Sequence, residues 1–417
     1  AMSTNTQTKA VMVVNCGSSS LKYEVYRMPE GTSLGKGLVE RIGLPMGNLE
    51  QSSAKGDLKI DQAIPDHTTA MNLVQKALLD PAKGILGSLS EIAAVGHRVV
   101  HGGEKYSQSV IIDDKVMAAI TECVELAPLH NPANLTGIRE SQRLFPGVKQ
   151  VAVFDTAFHQ TMPPASYLYG LPHELYDKYR IRKYGFHGTS HRYVYGEAVR
   201  FMKRSPENTN VITVHLGNGA SVAAIEKGKS VDTSMGFTPL EGLVMGTRCG
   251  DIDPQIIFWL MKHGHTADQV ETMLNKKSGL MGMTGGLSSD MRDLRKASDE
   301  GNPLAIDALN VYAKRVRRYI GSYMAELEKV DAIVFTGGIG QWAFYMRERI
   351  CRGLENLGIS MDYEVNKATL NKLGYISHGY SNTALLVVPT NEELQIASDA
   401  YQLVFEGGIR SGAACED

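Results

Sequence analysis

The feature that most constrains this chain is a strand–turn–strand unit that occurs twice. In the first copy Val11–Asn15 is a short apolar run, Cys16–Ser20 (CGSSS) is turn chemistry, and Leu21–Tyr26 alternates again. In the second, Val211–His215, Leu216–Ala220 (LGNGA) and Ser221–Glu226 repeat that order. Asn15-Cys-Gly-Ser-Ser-Ser and His215-Leu-Gly-Asn-Gly-Ala start 200 positions apart in the same relative register. The pair reads as an internal duplication. A chain of 417 residues has room for two or three domains of ordinary size.

Other strands are read at Val151–Asp155, Asp331–Thr336 and Leu385–Val388. Helical spacing appears at Thr68–Leu79, Lys115–Leu126, Asn131–Leu144 and Pro303–Val330. A closing helix, Asn391–Phe405, carries Glu392 and Glu393 in its first turn, where the helix dipole favours them. Strands mixed with helices predict an α/β fold. Asp155–Pro164 reads as the crossing between halves, and Glu406–Asp417 as a frayed end. Ala1 ahead of Met2 reads as a cloning scar, and residues 31–63 as a polar stretch of no evident role.

Composition excludes several classes. Lys+Arg is 43 against 45 Asp+Glu, so the basic excess of a nucleic-acid or anionic-membrane binder is missing. With 43% hydrophobic residues the chain can bury a core. Its longest apolar stretches, such as Ala384–Val388, are strand-length, and no secretory apolar region is read. The five cysteines are scattered and form no CxxC, which argues against disulfides and structural zinc and for a reducing cytoplasmic compartment. The 18 methionines read as core filling.

Two Gly/Ser/Asn hairpins, together with Gly337–Gly340 (GGIG), point to a phosphate cradle of backbone N–H groups. Ser18, Ser20 and Lys22 add hydroxyls and a cation. A Walker motif is absent: Gly228-Lys229-Ser230 lacks the first glycine, whose place Ala223 takes, and reads as a hairpin turn. Arg98 and Arg248 lie among glycines, and their planar forks suit carboxylate or phosphate. His97/His101 and His187/His191 have four-residue spacing, but the adjoining glycines argue against a regular helix and against zinc. Single loop histidines beside glycine are candidate donors to a phosphoryl group. Asp155 ends a strand and Glu392 opens a helix, a carboxylate set of the kind Mg²⁺ takes with substrate phosphates.

The strings VNCGSSSLKYEVY, GHRVVHGGE, LAPLHNPAN, FDTAFHQTMP, YGFHGTSHRYV, HLGNGAS, DTSMGFTPLEGLVMGTRCGDIDP, LSSDMRDL, FTGGIG and VVPTNEELQIA run from Val14 to Ala397. They resemble the acetate/propionate kinase family. That resemblance implies two duplicated RNase-H-like (actin-like ATPase) cores with an interdomain active-site cleft holding the nucleotide, and a homodimer. It places one domain at 10–157 plus 389–405 and the other at 158–388. It implies reversible, Mg²⁺-dependent transfer of the ATP γ-phosphoryl group to acetate, with propionate a poorer substrate because Val100 narrows the acyl pocket.

Carried onto this sequence, the resemblance assigns catalysis to Asn15, Arg98, Asp155, His187 and Arg248. Ser18, Ser20, Lys22, His215, Asn218 and Gly219 would lie at the phosphates. Asp290, Met291, Arg292, Gly338 and Gly340 would border the adenosine. Val100, Leu129, His130, Phe186 and Pro239, with Arg98, would meet the acyl group, and Asn15, Asp155 and Glu392 would organise Mg²⁺. Direct in-line transfer is the expected route, with a phosphorylated Glu392 as its rival. The family string GGIGEN departs here to Gln341-Trp342. Trp342 could stack on adenine, fill its pocket or point outward. Two alternatives therefore stand: pyrophosphate/phosphate in place of ATP/ADP, and a non-enzymatic actin-like nucleotide switch. The Arg98, Arg248 and His187 set favours an enzyme, since a switch needs no clamp for an acyl carboxylate.

Overall fold

The computed structural model describes residues 8–409, which form two compact units: 8–158 with 391–409, and 159–390. In the first unit eight strands form one sheet: β1 (Lys9–Cys16), β2 (Leu21–Met28), β3 (Thr32–Glu40), β4 (Gly47–Ser53), β5 (Gly56–Gln62), β6 (Ile92–Val99), β7 (Val110–Ile111) and β8 (Lys149–Phe154). Their order is β5-β4-β3-β2-β1-β6-β8-β7. In the second unit six strands, β9 (Val211–Leu216), β10 (Ala220–Glu226), β11 (Lys229–Thr233), β12 (Ala332–Thr336), β13 (Gly374–Tyr375) and β14 (Ala384–Val387), have the order β11-β10-β9-β12-β14-β13.

The duplication is topological. β3-β2-β1 is an antiparallel meander, and β6 and β8 extend it in parallel on the β1 side. β11-β10-β9 followed by β12 and β14 repeats that arrangement. The stretch with no evident role in sequence is the β3-β4-β5 meander, which widens the first sheet. Lys227 and Gly228 have positive φ in the turn joining β10 to β11, as the hairpin reading of Gly-Lys-Ser expects.

Both faces of the first sheet are covered, and β1 shows why. Met12 and Val14 pack into a cluster with Met71 and Val74 of the helix His67–Leu78. Their neighbours Val11 and Val13 point the other way, onto Ile396, Ala397 and Ala400 of the closing helix Glu392–Phe405. Gly96 on β6 lets that helix approach. A Cβ there would lie 2.7 Å from the Ile396 side chain and 3.2 Å from its carbonyl oxygen.

Two sequence expectations are corrected. The helix read over Lys115–Leu126 is Asp114–Glu122, where Cys123 forms the C-cap and its N–H donates to the carbonyls of Ala119 and Thr121. The helix from Pro303 ends at Glu326. Gly337–Gly340, given no element in the sequence reading, opens a short helix, Gly337–Trp342, directly after β12. No described helix is long and apolar enough to cross a membrane. Cys16, Cys123, Cys249 and Cys351 are free thiols, and Cys415 with residues 410–417 of the frayed-end reading lies outside the described residues.

His97 on β6 is buried and donates from Nε2 to Gln150 Oε1 at 2.6 Å. Burial pulls its imidazole down to about 4, with the Gln150 bond opposing. A histidine depressed in this way stabilises the fold above its unfolded value near 6.5, and that contribution disappears as pH falls towards 4, on the order of 3 kcal/mol in all. The paired variant His97→Leu/Gln150→Leu removes both polar partners, which is nearly neutral at pH 7.5. Its melting temperature should fall less than that of wild type between pH 6.5 and 4. Parallel falls would exclude His97 as a source of acid lability.

Candidate active site

In the first unit the parallel pairing of β6 and β8 sets Arg98 opposite Val153, so Arg98 and Asp155 emerge at the same end of the sheet. Arg98 donates from Nε to Asp155 Oδ1 at 3.0 Å and from Nη2 to Oδ2 at 2.7 Å, a two-pronged pair. The Asp155 carboxylate raises the Arg98 pKa above its ordinary value. Asp155 is buried, while the Arg98 side chain keeps 30% exposure. Three of the five guanidinium N–H groups remain for a ligand. Burial pushes the Glu392 carboxyl up to about 7, against the pull of Arg98 and with Asp155 and Glu393 adding to the rise. Lys22, expected at the phosphates, pairs with Glu393 at 2.9 Å.

Asn15 lies near the end of β1, and Gly17 N donates to Ser20 O at 2.9 Å to close the turn holding Ser18 and Ser20. Val100 is buried, but Leu129 is 70% exposed and His130 is exposed. Neither closes an apolar pocket within this unit. No described group of three or more His, Cys, Asp or Glu side chains is arranged to hold a metal. Asp155, Glu392 and Asn15 nevertheless fit Mg²⁺ by donor chemistry. They offer hard oxygens, and Glu392 is a buried carboxyl that a divalent cation would help to ionise.

In the second unit His187 has φ 58° at the start of the helix Gly188–Phe201, a left-handed conformation uncommon outside glycine. Its Nδ1 lies 2.9 Å from Ser221 Oγ on β10. The His215 ring, at the end of β9, is 4.4 Å away by centroid, and its Nδ1 bonds Ser190 Oγ at 2.8 Å. Gly219, in the β9–β10 turn, brings the backbone against two side chains at once. A Cβ there would stand 3.3 Å from Arg248 Nη1 and 3.4 Å from His187 Nε2. Arg248 has no carboxylate partner among the described residues. It donates to Pro239 O at 3.4 Å and approaches Met245 Sδ at 3.7 Å, and burial alone lowers its pKa. A half-buried guanidinium beside a histidine ring nitrogen, with no acid among the described residues, is chemically suited to an anion. Asn218 O accepts from Gly246 N at 3.3 Å, which ties the glycine turn to the Arg248 loop.

The chain matches the model of the acetokinase family over residues 10–398. It belongs to the acetokinase family. It is 54% identical over 399 residues to an acetate kinase of Desulfitobacterium hafniense, covering 95% of this chain and 100% of that protein. Among solved structures, Porphyromonas gingivalis acetate kinase superposes with a TM-score of 0.92 at 46% identity, covering 95% of this chain and 100% of that one. A propionate kinase of Francisella tularensis gives 0.86 at 42% identity, covering 93% and 98%. These relatives give no support to the switch or pyrophosphate alternatives.

The acetokinase strings divide between chemistry and scaffold. In LAPLHNPAN, Asn134 accepts from Val100 N and donates to Cys16 O, both at 3.0 Å, and so joins the ends of β1 and β6. Asn131 is buried and clamps both backbone polar groups of His101. Phe186 O accepts from buried His159 Nε2 at 2.9 Å. Among the residues expected to border the adenosine, Asp290 caps the helix Met291–Asp299 and pairs with Arg292, and Met291 is buried rather than lining a surface. Gly338 faces open space, and Trp342 is 56% exposed, so the indole is not packed into the protein.

Sequence reasoning missed Arg347, which is fully buried and has no acidic partner among the described residues. It donates to the carbonyls of Gly340, Gln341, Asn366 and Thr369 and to Asn366 Oδ1, which fixes the end of the GGIG helix. Burial lowers its pKa to about 10.

Gly219→Ala tests the convergence of Arg248 and His187. Its φ is outside the left-handed region, so alanine is tolerated by the backbone. The added methyl shifts Arg248 or His187 by a few tenths of an ångström. We expect kcat to fall by roughly 10–100-fold with the melting temperature almost unchanged. Wild-type turnover would separate Gly219 from the site.

Proposed function

We propose that this acetokinase-family chain is an acetate kinase, which transfers the γ-phosphoryl group of ATP to acetate and reversibly yields acetyl phosphate and ADP. The observation that carries this reading is Arg248, a guanidinium without an acid, set beside His187 Nε2 at the Gly219 turn. Acetate is ionised at neutral pH, so no strong base is needed. The barrier lies in bringing a carboxylate up to a polyphosphate.

Arg98, already held by Asp155, offers its remaining N–H groups to the acyl carboxylate. Arg248 and His187 donate to the phosphoryl oxygens as the acetate oxygen forms its bond to phosphorus and the bond to the ADP oxygen breaks. Asn15, Asp155 and Glu392 would hold Mg²⁺, which neutralises charge on the phosphates. Propionate is the poorer substrate because Val100 is β-branched and buried. The free thiols accord with a cytoplasmic location.

Phosphorus NMR of the protein with acetyl phosphate, Mg²⁺, ADP and inorganic phosphate should show ATP growing. Pyrophosphate without ATP would reassign the donor, and unconsumed acetyl phosphate would overturn the enzyme reading. Arg98→Ala and His187→Ala should each lower kcat by roughly 10²-fold or more. Arg98→Lys should not rescue, because it lacks the fork that meets Asp155.

The reading includes a homodimer. The helix Gln255–Lys262 (QIIFWLMK) has no buried residue, and Ile256, Phe258, Trp259 and Met261 are all exposed. Continuous apolar surface of this kind fits a second copy of the chain. Sedimentation should give a dimer for wild type and a monomer for Phe258→Asp/Trp259→Asp. A dimer that survives the double substitution would move the interface elsewhere.

A further inference from the structure

The second unit contains a chain of hydrogen bonds that the mechanism above does not use. Thr213 Oγ1 on β9 lies 2.6 Å from His191 Nδ1. His191 Nε2 lies 2.8 Å from Ser221 Oγ on β10, and Ser221 Oγ lies 2.9 Å from His187 Nδ1. Thr213, His191 and Ser221 are fully buried.

Counting protons gives this chain a direction. Among the described residues the Thr213 hydroxyl has one acceptor within reach, His191 Nδ1, so it donates there. His191 is held neutral by burial, with His159 and His215 adding to the effect, so its single proton then sits on Nε2 and is donated to Ser221. The Ser221 proton has one acceptor left, His187 Nδ1. With Nδ1 accepting, a neutral His187 carries its proton on Nε2, the atom beside Gly219 and Arg248. An imidazolium would carry a proton on Nδ1 and could not accept from Ser221.

We propose that Thr213, His191 and Ser221 are positioning residues which fix His187 as the neutral Nε2–H tautomer before substrate arrives. The donor to the phosphoryl group is thereby set in advance, and no proton has to be rearranged as charge develops. The proposal rests on the acetate kinase reading for its function, but the tautomer itself is measurable on the free protein.

The test is long-range nitrogen–proton correlation NMR of histidine-labelled protein at pH 8, with the His187 signals assigned by their loss in His187→Gln. Wild type should show His187 as the Nε2–H tautomer. Thr213→Val, which removes the hydroxyl and nearly keeps the shape, should shift His187 towards the Nδ1–H form. It should lower kcat about tenfold with KM values within twofold. Thr213→Ser, which restores the hydroxyl, should return both. Imidazolium or Nδ1–H in wild type overturns the proposal even if no variant folds. A loss of kcat in Thr213→Val with the tautomer unchanged also overturns it, and leaves Thr213 a packing role. Failure of the wild type to make ATP from acetyl phosphate would remove the kinase reading while leaving the tautomer result standing.

Discussion

The structure depends on one constraint: parallel strands release their side chains at a common end. In each unit the hairpin strand pairs antiparallel on one side and parallel on the other, β1 with β6 and β9 with β12. The parallel register carries Asn15, Arg98 and Asp155 to the carboxyl ends of β1, β6 and β8. It carries His215 to the end of β9 and Gly337 just past the end of β12. Ligand chemistry in open α/β sheets collects at such ends, because the loops that follow are free to vary while the strands are not.

Three arginines show how surroundings divide one chemistry into three uses. Arg98 is neutralised by Asp155 and oriented by it, so its charge is directed rather than free. Arg347 lies in the core and meets only neutral oxygens, which makes it a fastener for chain ends. Arg248 has neither an acid nor a full set of carbonyls, and its desolvation is uncompensated in the protein alone. The uncompensated one is the group an incoming anion stabilises most, since removing a charge from water costs least when an opposite charge arrives.

What was legible in the sequence was local. The CGSSS and LGNGA turns, and the helix Asn131–Leu144 found at its expected bounds, depend on spacing and turn chemistry within a few residues. What was illegible was held from afar. GGIG names no element by itself, because glycine is a poor helix former, yet it opens a helix whose end Arg347 ties to Thr369 by donating to the carbonyls of Gly340 and Thr369. The glycine beside His187 argued against a regular helix, but His187 caps one in the left-handed conformation and His191 lies in its first turns. The i,i+4 spacing was therefore helical, and both rings take part in hydrogen bonds. Thr213 and Ser221 look like ordinary strand residues, and only the pairing of β9 with β10 turns them towards the same histidine.

The two units share a scaffold and divide the charge. The first gathers Asp155, Glu392 and Glu393 around Arg98 and Lys22, a set in which acids outnumber bases. The second presents Arg248, His187 and His215 at a glycine turn with no carboxylate on the guanidinium. An acid-rich set suits a hard cation, and an acid-free donor set suits phosphate oxygens. A duplicated chain can reach this division without changing its topology, because the strand ends fix only the positions. The identity of each side chain is decided by the loops and turns that leave them.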